Sequence, residues 1–401
     1  TKCTMIKTGN ETVDRIYRRS LLLFGLMSDK NTGAILASPE IDEGFTQCGR
    51  YAFCWGRDGA FVTTALNEAG LHGDSEKFYE WAVRVQDSQG FWNQRYHMNG
   101  NLAPSWGIQI DETASILFGM WNHFLYTKNV AFLEKVWPSV LKACDFLEKF
   151  IDSDTGLPQP SFDIWEERMG EHTYSTAAVI SGFHAAANIA ECLGVSKKTI
   201  DRWRSIADNI KKAMEENLVD KENGVFLRSI RTKLNPWGDE PTADTVVIKV
   251  NPKGYTREVS AVDRRMDISM LGPAVPFGIY APEHPLVRVT AEKIENTLRC
   301  EPAGGIYRYS GDNYAGGNPW IVATLWMALY HINAGNPEKA REYFNWSVKC
   351  ATGLGFLPEQ ADRNDGKPCW VIPLTWSHAM FVLTLKRLLE NGGIGEFYDK
   401  K

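Results

Sequence analysis

Between Thr199 and Leu218 apolar side chains recur every three to four residues. Ile200, Trp203, Ile206, Ala207, Ile210, Ala213 and Met214 share one stripe, with lysines and glutamates opposite. That period predicts an amphipathic helix with one buried side. Residues 133–151 repeat it with Leu133, Val136, Val140, Leu141, Cys144, Leu147 and Ile151. Pro138 has no backbone N–H, so a kink or a fresh helix start is predicted there. Continued along the chain, the period predicts twelve helices, near residues 11–27, 58–70, 74–89, 109–127, 130–152, 174–194, 196–218, 266–280, 284–299, 317–335, 337–352 and 375–391. Strand character is confined to short pieces such as Val225–Ile230 and Thr245–Val250, inside the segment 219–265. A connection of that length reads as an elaborated functional loop.

The connections alternate. Some pairs of helices are joined by one short turn ("LGVS", "NAGNPE"), whereas the next joint is long and rich in Gly, Pro, Trp and Asp, as in "GFWNQRYHMNGNLAPSWG" and "GGIYRYSGDNYAGGNPW". Such alternation predicts helical hairpins with the long loops gathered on one face, closing into six inner and six outer helices. The stretches 174–194 and 318–335 are apolar nearly all round and rich in small residues, as inner helices packed on both sides must be. The expected class is all-α, an (α/α)6 barrel. No linker or low-complexity run interrupts it, so residues 1–401 are expected to form a single domain.

Composition narrows the partners. With 44% hydrophobic and 23% charged residues the chain has the makeup of a globular protein, and its net charge of -5 gives no basic footprint for nucleic acid or an anionic membrane. No apolar run reaches the ~18 residues of a membrane span. The eight cysteines are scattered without a C-x-x-C, and several, such as Cys144 and Cys350, fall on apolar helix positions. That pattern points to a reducing compartment, the cytoplasm; secretion would follow instead if the start at Thr1 reflects processing. No histidine pair has metal-ligand spacing, so neither metal nor cofactor is expected.

The long loops hold the chemistry. Trp92, Trp106, Trp165, Trp237, Trp320, Trp370 and Trp376 lie in or beside them, with Tyr51, Tyr309 and Tyr314. Aromatic faces with polar tips suit a ligand with apolar C–H faces and many hydroxyls, a sugar. Among them stand Arg57 and Asp58, Asp111 and Glu112, Asp163, Glu166 and Glu167, Arg308 and Asp312, and Glu359. Singly, each is more often a cap or surface pair, and Asp111 could cap the helix after it. Two carboxylates facing each other across an aromatic cleft, however, are what glycosidic cleavage requires. Arg–Asp pairs would add fixed hydrogen bonds to a terminal sugar.

Four blocks, "YAFCWGRDGAF" (51–61), "SFDIWEER" (161–168), "YRYSGDNYAGGNPW" (307–320) and "LPEQ" (357–360), resemble the glucoamylases, glycoside hydrolase family 15, in order and over most of the chain. The resemblance implies an (α/α)6 barrel, with Glu166 as general acid and Glu359 as the general base that activates water. It implies that Glu167 binds sugar hydroxyls, that Arg57, Asp58 and Arg308 grip the terminal glucose, and that Tyr51, Trp165 and Trp320 line the innermost subsites. The role of the 109–112 block is left open by it.

The implied activity is exo-acting, inverting hydrolysis that releases β-D-glucose from non-reducing ends of α-1,4-linked oligosaccharides or starch-type polysaccharides. Glu166 is then expected to stay protonated through contact with Trp165 and the charge of Glu167, and Glu359 to stay ionised. The two carboxyl groups of an inverting pair stand about 6.5–9.5 Å apart. The same barrel could serve an α-1,6-specific or trehalase-like hydrolase, or a non-catalytic glycan-binding module. The additional sandwich or starch-binding domains of many relatives do not fit in these 401 residues, so the expectation is either a barrel trimmed from a longer protein or a bare barrel acting on short soluble oligosaccharides.

Overall fold

The structure, a computed structural model, describes residues 3–44, 46, 48–234, 244–250 and 253–391. Among these the helical periodicity is realised as eleven α-helices: α1 (Glu11–Met27), α2 (Gly56–Glu68), α3 (His72–Val85), α4 (Ile110–Thr127), α5 (Val130–Lys149), α6 (Thr173–Cys192), α7 (Lys197–Asn217), α8 (Pro285–Leu298), α9 (Ile321–Asn333), α10 (Pro337–Lys349) and α11 (Thr375–Glu390). The stripe at 199–218 is the buried face of α7, with Trp203 and Ile210 in the core. Pro138 neither ends nor restarts its helix: α5 runs through it, held by Phe132, Leu133 and Val136 on one side and Val140, Cys144 and Leu147 on the other. One lost backbone bond is outweighed by burial of both halves.

The helices close a ring. Helix α2 packs on α4, α4 on α6, α9 on α11, and α11 back on α2. The remaining inner position, the fourth, between α6 and α9, is a 3-10 turn, Ile268–Leu271, that touches both. Outside lie α1, α3, α5, α7, α8 and α10, each against its inner neighbours. This is an (α/α)6 barrel whose fourth inner helix is shortened to one turn. The helix expected over 266–280 is therefore wrong beyond Leu271, where the chain continues in turns. Pro273 and Pro276 explain it, since neither can donate the bond that would extend a helix. The all-round apolar stretches are α6 and α9, inner as expected and buried along nearly their whole length. Close packing of the ring needs small residues. A Cβ on Gly119 of α4 would stand 2.3 Å from the Tyr79 hydroxyl and 3.0 Å from Cβ of Ala60 on α2.

The inner helices share one direction. N-terminal residues of α2, α9 and α11 line a cavity at one end of the barrel. C-terminal residues of α2, α4, α9 and α11 line another, of about 610 Å³, at the opposite end. None of the five inner α-helices has a side-chain N-cap; their cap positions are Trp55, Gln109, His172, Trp320 and Leu374. The outer helices α1, α5 and α10 use asparagine caps instead. Uncapped positive ends favour carboxylates nearby, and Asp58, Asp111 and Glu112 occupy the first turns of α2 and α4.

Strands decorate the cavity end. A five-stranded antiparallel sheet has the order β1 (Ser161–Phe162), β2 (Met169–His172), β5 (Ser229–Lys233), β7 (Thr256–Asp263), β6 (Thr245–Lys249). Two small pairs join β3 (Val219–Asp220) to β4 (Val225–Phe226) and β8 (Gln360–Ala361) to β9 (Pro368–Cys369). The strand expected over 225–230 is thus split between β4 and β5, with Leu227 and Arg228 at the break. No helix among the described residues is long and apolar enough to cross a membrane, and all eight cysteines are unpaired thiols.

Candidate active site

"DIWEER" is the turn of a β-hairpin. Strands β1 and β2 pair Phe162 with Met169, the Asp163 N–H donates to the Arg168 carbonyl, and the Glu166 N–H donates to the Asp163 carbonyl. The Asp163 carboxylate accepts the backbone N–H groups of Glu167 (2.8 Å) and Arg168 (3.1 Å). Glu166 itself has φ +65°, in the left-handed region where a residue with a Cβ is strained by about 1–2 kcal/mol. That bend sends neighbouring carboxylates to different partners. Glu166 accepts the indole N–H of Trp55 (2.6 Å) on one oxygen and of Trp106 (3.2 Å) on the other. Glu167 accepts from the Arg308 guanidinium (2.8 Å) and the Tyr309 hydroxyl (2.5 Å).

The Trp165 indole N–H donates to Asp267 (2.9 Å), and the indole N–H groups on Glu166 come from Trp55 and Trp106. The charge of Glu167 is paired with Arg308. The turn is tied to the rest of the molecule by Arg228, 2% exposed in its side chain, which meets Asp163 at 3.2 Å and Asp267 at 3.0 Å. Its guanidinium also lies 4.4 Å from the centre of the Tyr309 ring.

Glu359 sits before α11 in a strand-like segment pinned from several directions. The Leu357 N–H donates to His378 Nε2, Ser377 Oγ donates to the Pro358 carbonyl, and the Ile321 N–H donates to the Glu359 carbonyl. The residue is 1% exposed, and its carboxylate accepts from Tyr51 Oη (2.7 Å) and Gln360 Nε2 (3.0 Å). Tyr314 shares a hydrogen bond with the Tyr51 hydroxyl (2.9 Å) and accepts the Trp370 indole N–H (3.0 Å). Burial pushes the Glu359 pKa up to about 7, against the pull of the Tyr51 and Gln360 hydrogen bonds. That direction runs against the expectation of a carboxylate ionised throughout the acid range.

The floor is a buried charge cluster. Arg57 meets Asp111 at 2.8 Å and Glu112 at 2.9 Å, and its backbone N–H donates to Glu112. One arginine cannot offset three buried acids, and burial drives Glu112 well above the usual carboxylate range. Burial likewise raises Asp58 to about 6, Arg57 opposing and Glu166 assisting. Asp111 does not cap α4; it stands inside the first turn, where its charge faces Arg57. Across the cavity Arg308 is held by Asp312 (2.7 Å) and lies about 5 Å from the rings of Trp165, Tyr309, Tyr314 and Trp320.

Tyr51, Arg57, Asp58, Trp165, Glu166, Glu167, Arg308, Trp320 and Glu359 all line the same cavity, of about 500 Å³. Trp106, Tyr314 and Trp376 join them, whereas Trp92 is core, with its indole N–H on the Ala82 carbonyl. Trp370 acts through Tyr314, and Trp237 lies outside the described residues. The cavity at the other barrel end is larger but has no facing pair of carboxylates on its wall. Sequence reading missed Trp55, Arg95 and Gln360 as contributors. Trp55 and Gln360 lie inside the quoted blocks 51–61 and 357–360, and Arg95 lies inside a quoted loop, so membership of those blocks was the available signal.

Residues 13–386 match the family model described as Glycosyl hydrolases family 15. An uncharacterized glycosyl hydrolase of Methanocaldococcus jannaschii is 29% identical over 93% of this chain and 56% of its own length. A glucoamylase of Clostridium sp. is 26% identical over 97% of this chain and 55% of its own. At 23% identity stand an isomaltose glucohydrolase of Kribbella flavida, matching 84% of each chain, and a trehalase of Sulfolobus acidocaldarius, matching 92% of this chain and 62% of its own. This chain spans about half the length of the first two relatives. Among solved structures, a bacterial glucoamylase complexed with acarbose superposes with TM-score 0.73 at 24% identity, over 94% of this chain and 55% of that one. A fold, a motif set gathered on one cavity and a family match spanning nearly the whole chain agree: the chain belongs to glycosyl hydrolases family 15.

Proposed function

We propose that this chain is an exo-acting, inverting α-glucoside hydrolase, with Glu166 as general acid and Glu359 as general base, releasing β-D-glucose from non-reducing ends of α-1,4-linked glucans. One observation carries the reading. Glu166 stands in the loop before α6, the third inner position, and Glu359 in the loop before α11, the sixth. Half a turn of the ring separates them, so the two acids approach a bound sugar from opposite sides. That arrangement suits attack by water on one face and departure of the leaving oxygen on the other. In the step, the anomeric C–O bond breaks as Glu166 gives its proton to the leaving oxygen. Water bonds to the anomeric carbon and passes its proton to Glu359. Glu167, Asp58, Arg57 and Arg308 offer the fixed charges that hold hydroxyls, and Trp165 and Trp320 offer apolar faces.

The chain-end preference is supported by the floor. Arg57, Asp111 and Glu112 fill the barrel beneath the cavity, all nearly inaccessible, so a glucan cannot thread through. The experiment is a comparison of initial rates on maltose, isomaltose and α,α-trehalose, with Glu166→Gln and Glu359→Gln alongside. Maltose cleaved fastest, and ~10²–10⁴-fold losses in both variants, are the expected results. The isomaltose glucohydrolase and trehalase relatives favour a second reading, the same chemistry on an α-1,6 or α,α-1,1 bond. It would replace the first if isomaltose or trehalose turned over fastest. No hydrolysis of any of the three would favour a glycan-binding role.

A further inference from the structure

The two indoles that hold Glu166 come from different loops, and one side chain links them. Arg95 lies with its guanidinium carbon 5.4 Å from the Trp55 ring centre, 5.3 Å from that of Trp106 and 4.9 Å from that of Phe53. It is 6% exposed, while Trp106 is 57% exposed at the rim. The backbone repeats the arrangement. Tyr96 bridges to Cys54 on one side and to Leu102 on the other, so the strand carrying Arg95 runs between the Trp55 segment and the Trp106 segment. Arg95 Nε donates to the Pro104 carbonyl, the Ala103 N–H donates to the Arg95 carbonyl, and the Trp106 N–H donates to the Gln94 side chain at 2.9 Å. Gln94 and Arg95 thus grip the Trp106 loop along both backbone and side chain.

Arg95 is also an unusual cation. Among the described residues no carboxylate lies within ion-pair distance of it, and its charge rests on aromatic faces. Burial lowers its pKa from the ordinary value, Glu166 is the charge that most opposes this, and Arg50 adds to it. A cation on an indole face withdraws electron density from the ring and makes its N–H a stronger donor. Both indoles it touches direct their N–H groups at Glu166.

We propose that Arg95 is a positioning residue for proton donation: its guanidinium, wedged against Trp55, Trp106 and Phe53, fixes the two indole N–H groups on Glu166 and favours the carboxylate that Glu166 becomes once its proton has left. The inference rests on Glu166 being the acid. In the step it serves, the glycosidic C–O bond breaks, the Glu166 proton goes to the departing oxygen, water bonds to the anomeric carbon and its proton goes to Glu359. Arg95 lines the same cavity, but it neither gives nor takes the proton. Its effect is confined to reactions that need the proton.

The test compares two leaving groups. A disaccharide, whichever of maltose, isomaltose and α,α-trehalose is cleaved fastest, needs its leaving oxygen protonated, whereas α-D-glucopyranosyl fluoride loses fluoride ion without that help. Arg95→Met is expected to lower kcat on the disaccharide ~10–100-fold with KM little changed, and kcat on the fluoride by less than ~3-fold. Arg95→Lys, which keeps the charge, should recover most of the loss. Equal losses on both substrates, no loss on either, or a lysine variant no better than methionine would overturn the proposal. Near-ultraviolet circular dichroism checks folding, and if Arg95→Met does not fold, Arg95→Gln takes its place under the same criteria. Glu166→Gln in the same assay separates the two levels. Equal loss there on both substrates removes the acid assignment itself, whereas a split there without a split at Arg95 removes only this inference.

Discussion

The two adjacent glutamates of "DIWEER" are chemically equivalent in the sequence and are separated by one backbone angle. The positive φ of Glu166 puts its oxygens on two indoles while Glu167 turns to Arg308 and Tyr309. The motif residues were legible because they cluster in short unusual blocks. Trp55, Trp106 and Arg95 were not legible as a unit, because their meeting depends on contacts across the fold that no spacing encodes. Glu359 carries a pH signature. Burial raises it to about 7, and its base form is lost as pH falls through that value, so kcat/KM should drop about tenfold per unit below it. Asp58, raised to about 6, should steepen the fall below that point. A profile flat from pH ~5 to ~8 would contradict this. The same shift acts on stability. A pKa raised above the ordinary 4.5 makes the folded state the tighter proton binder, a contribution that favours folding at low pH and is lost as pH rises through about 7. Glu359→Gln, which cannot ionise, should therefore unfold in urea with ~1–3 kcal/mol more stability than the native chain near pH 8 and little difference near pH 5. Equal stabilities near pH 8 would show that the buried charge is fully compensated.

At the scale of elements, periodicity located eleven of twelve barrel positions and failed where two prolines stop a helix that the apolar pattern alone would continue. Strands β1, β2 and β7 escaped notice, being short or lacking clean alternation. They matter, because the sheet delivers Arg228 to the underside of the turn that carries Glu166 and Glu167. Replacing Arg228 by Met would leave Asp163 and Asp267 buried beside each other without their cation. A broken buried pair typically costs about 3–5 kcal/mol. Denaturant unfolding should show a loss of this size, with turnover falling as Asp163 loosens its hold on the Glu167 and Arg168 N–H groups. A variant within ~0.5 kcal/mol of native would mean that the network is structurally idle.

For the whole molecule, the ring's order is what converts two distant motifs into a pair. About 190 residues of chain separate Glu166 from Glu359. Closure of α11 onto α2 brings their loops to one cavity, half a ring apart. The barrel was legible from alternating short and long connections; the bond it cleaves was not, because linkage is decided by where the second sugar rests at the rim. The central claim is stereochemical and can be read directly. Proton NMR of the first glucose released from an α-linked disaccharide, recorded before mutarotation, should show the β anomer. Early α-glucose would contradict the inverting pair of Glu166 and Glu359.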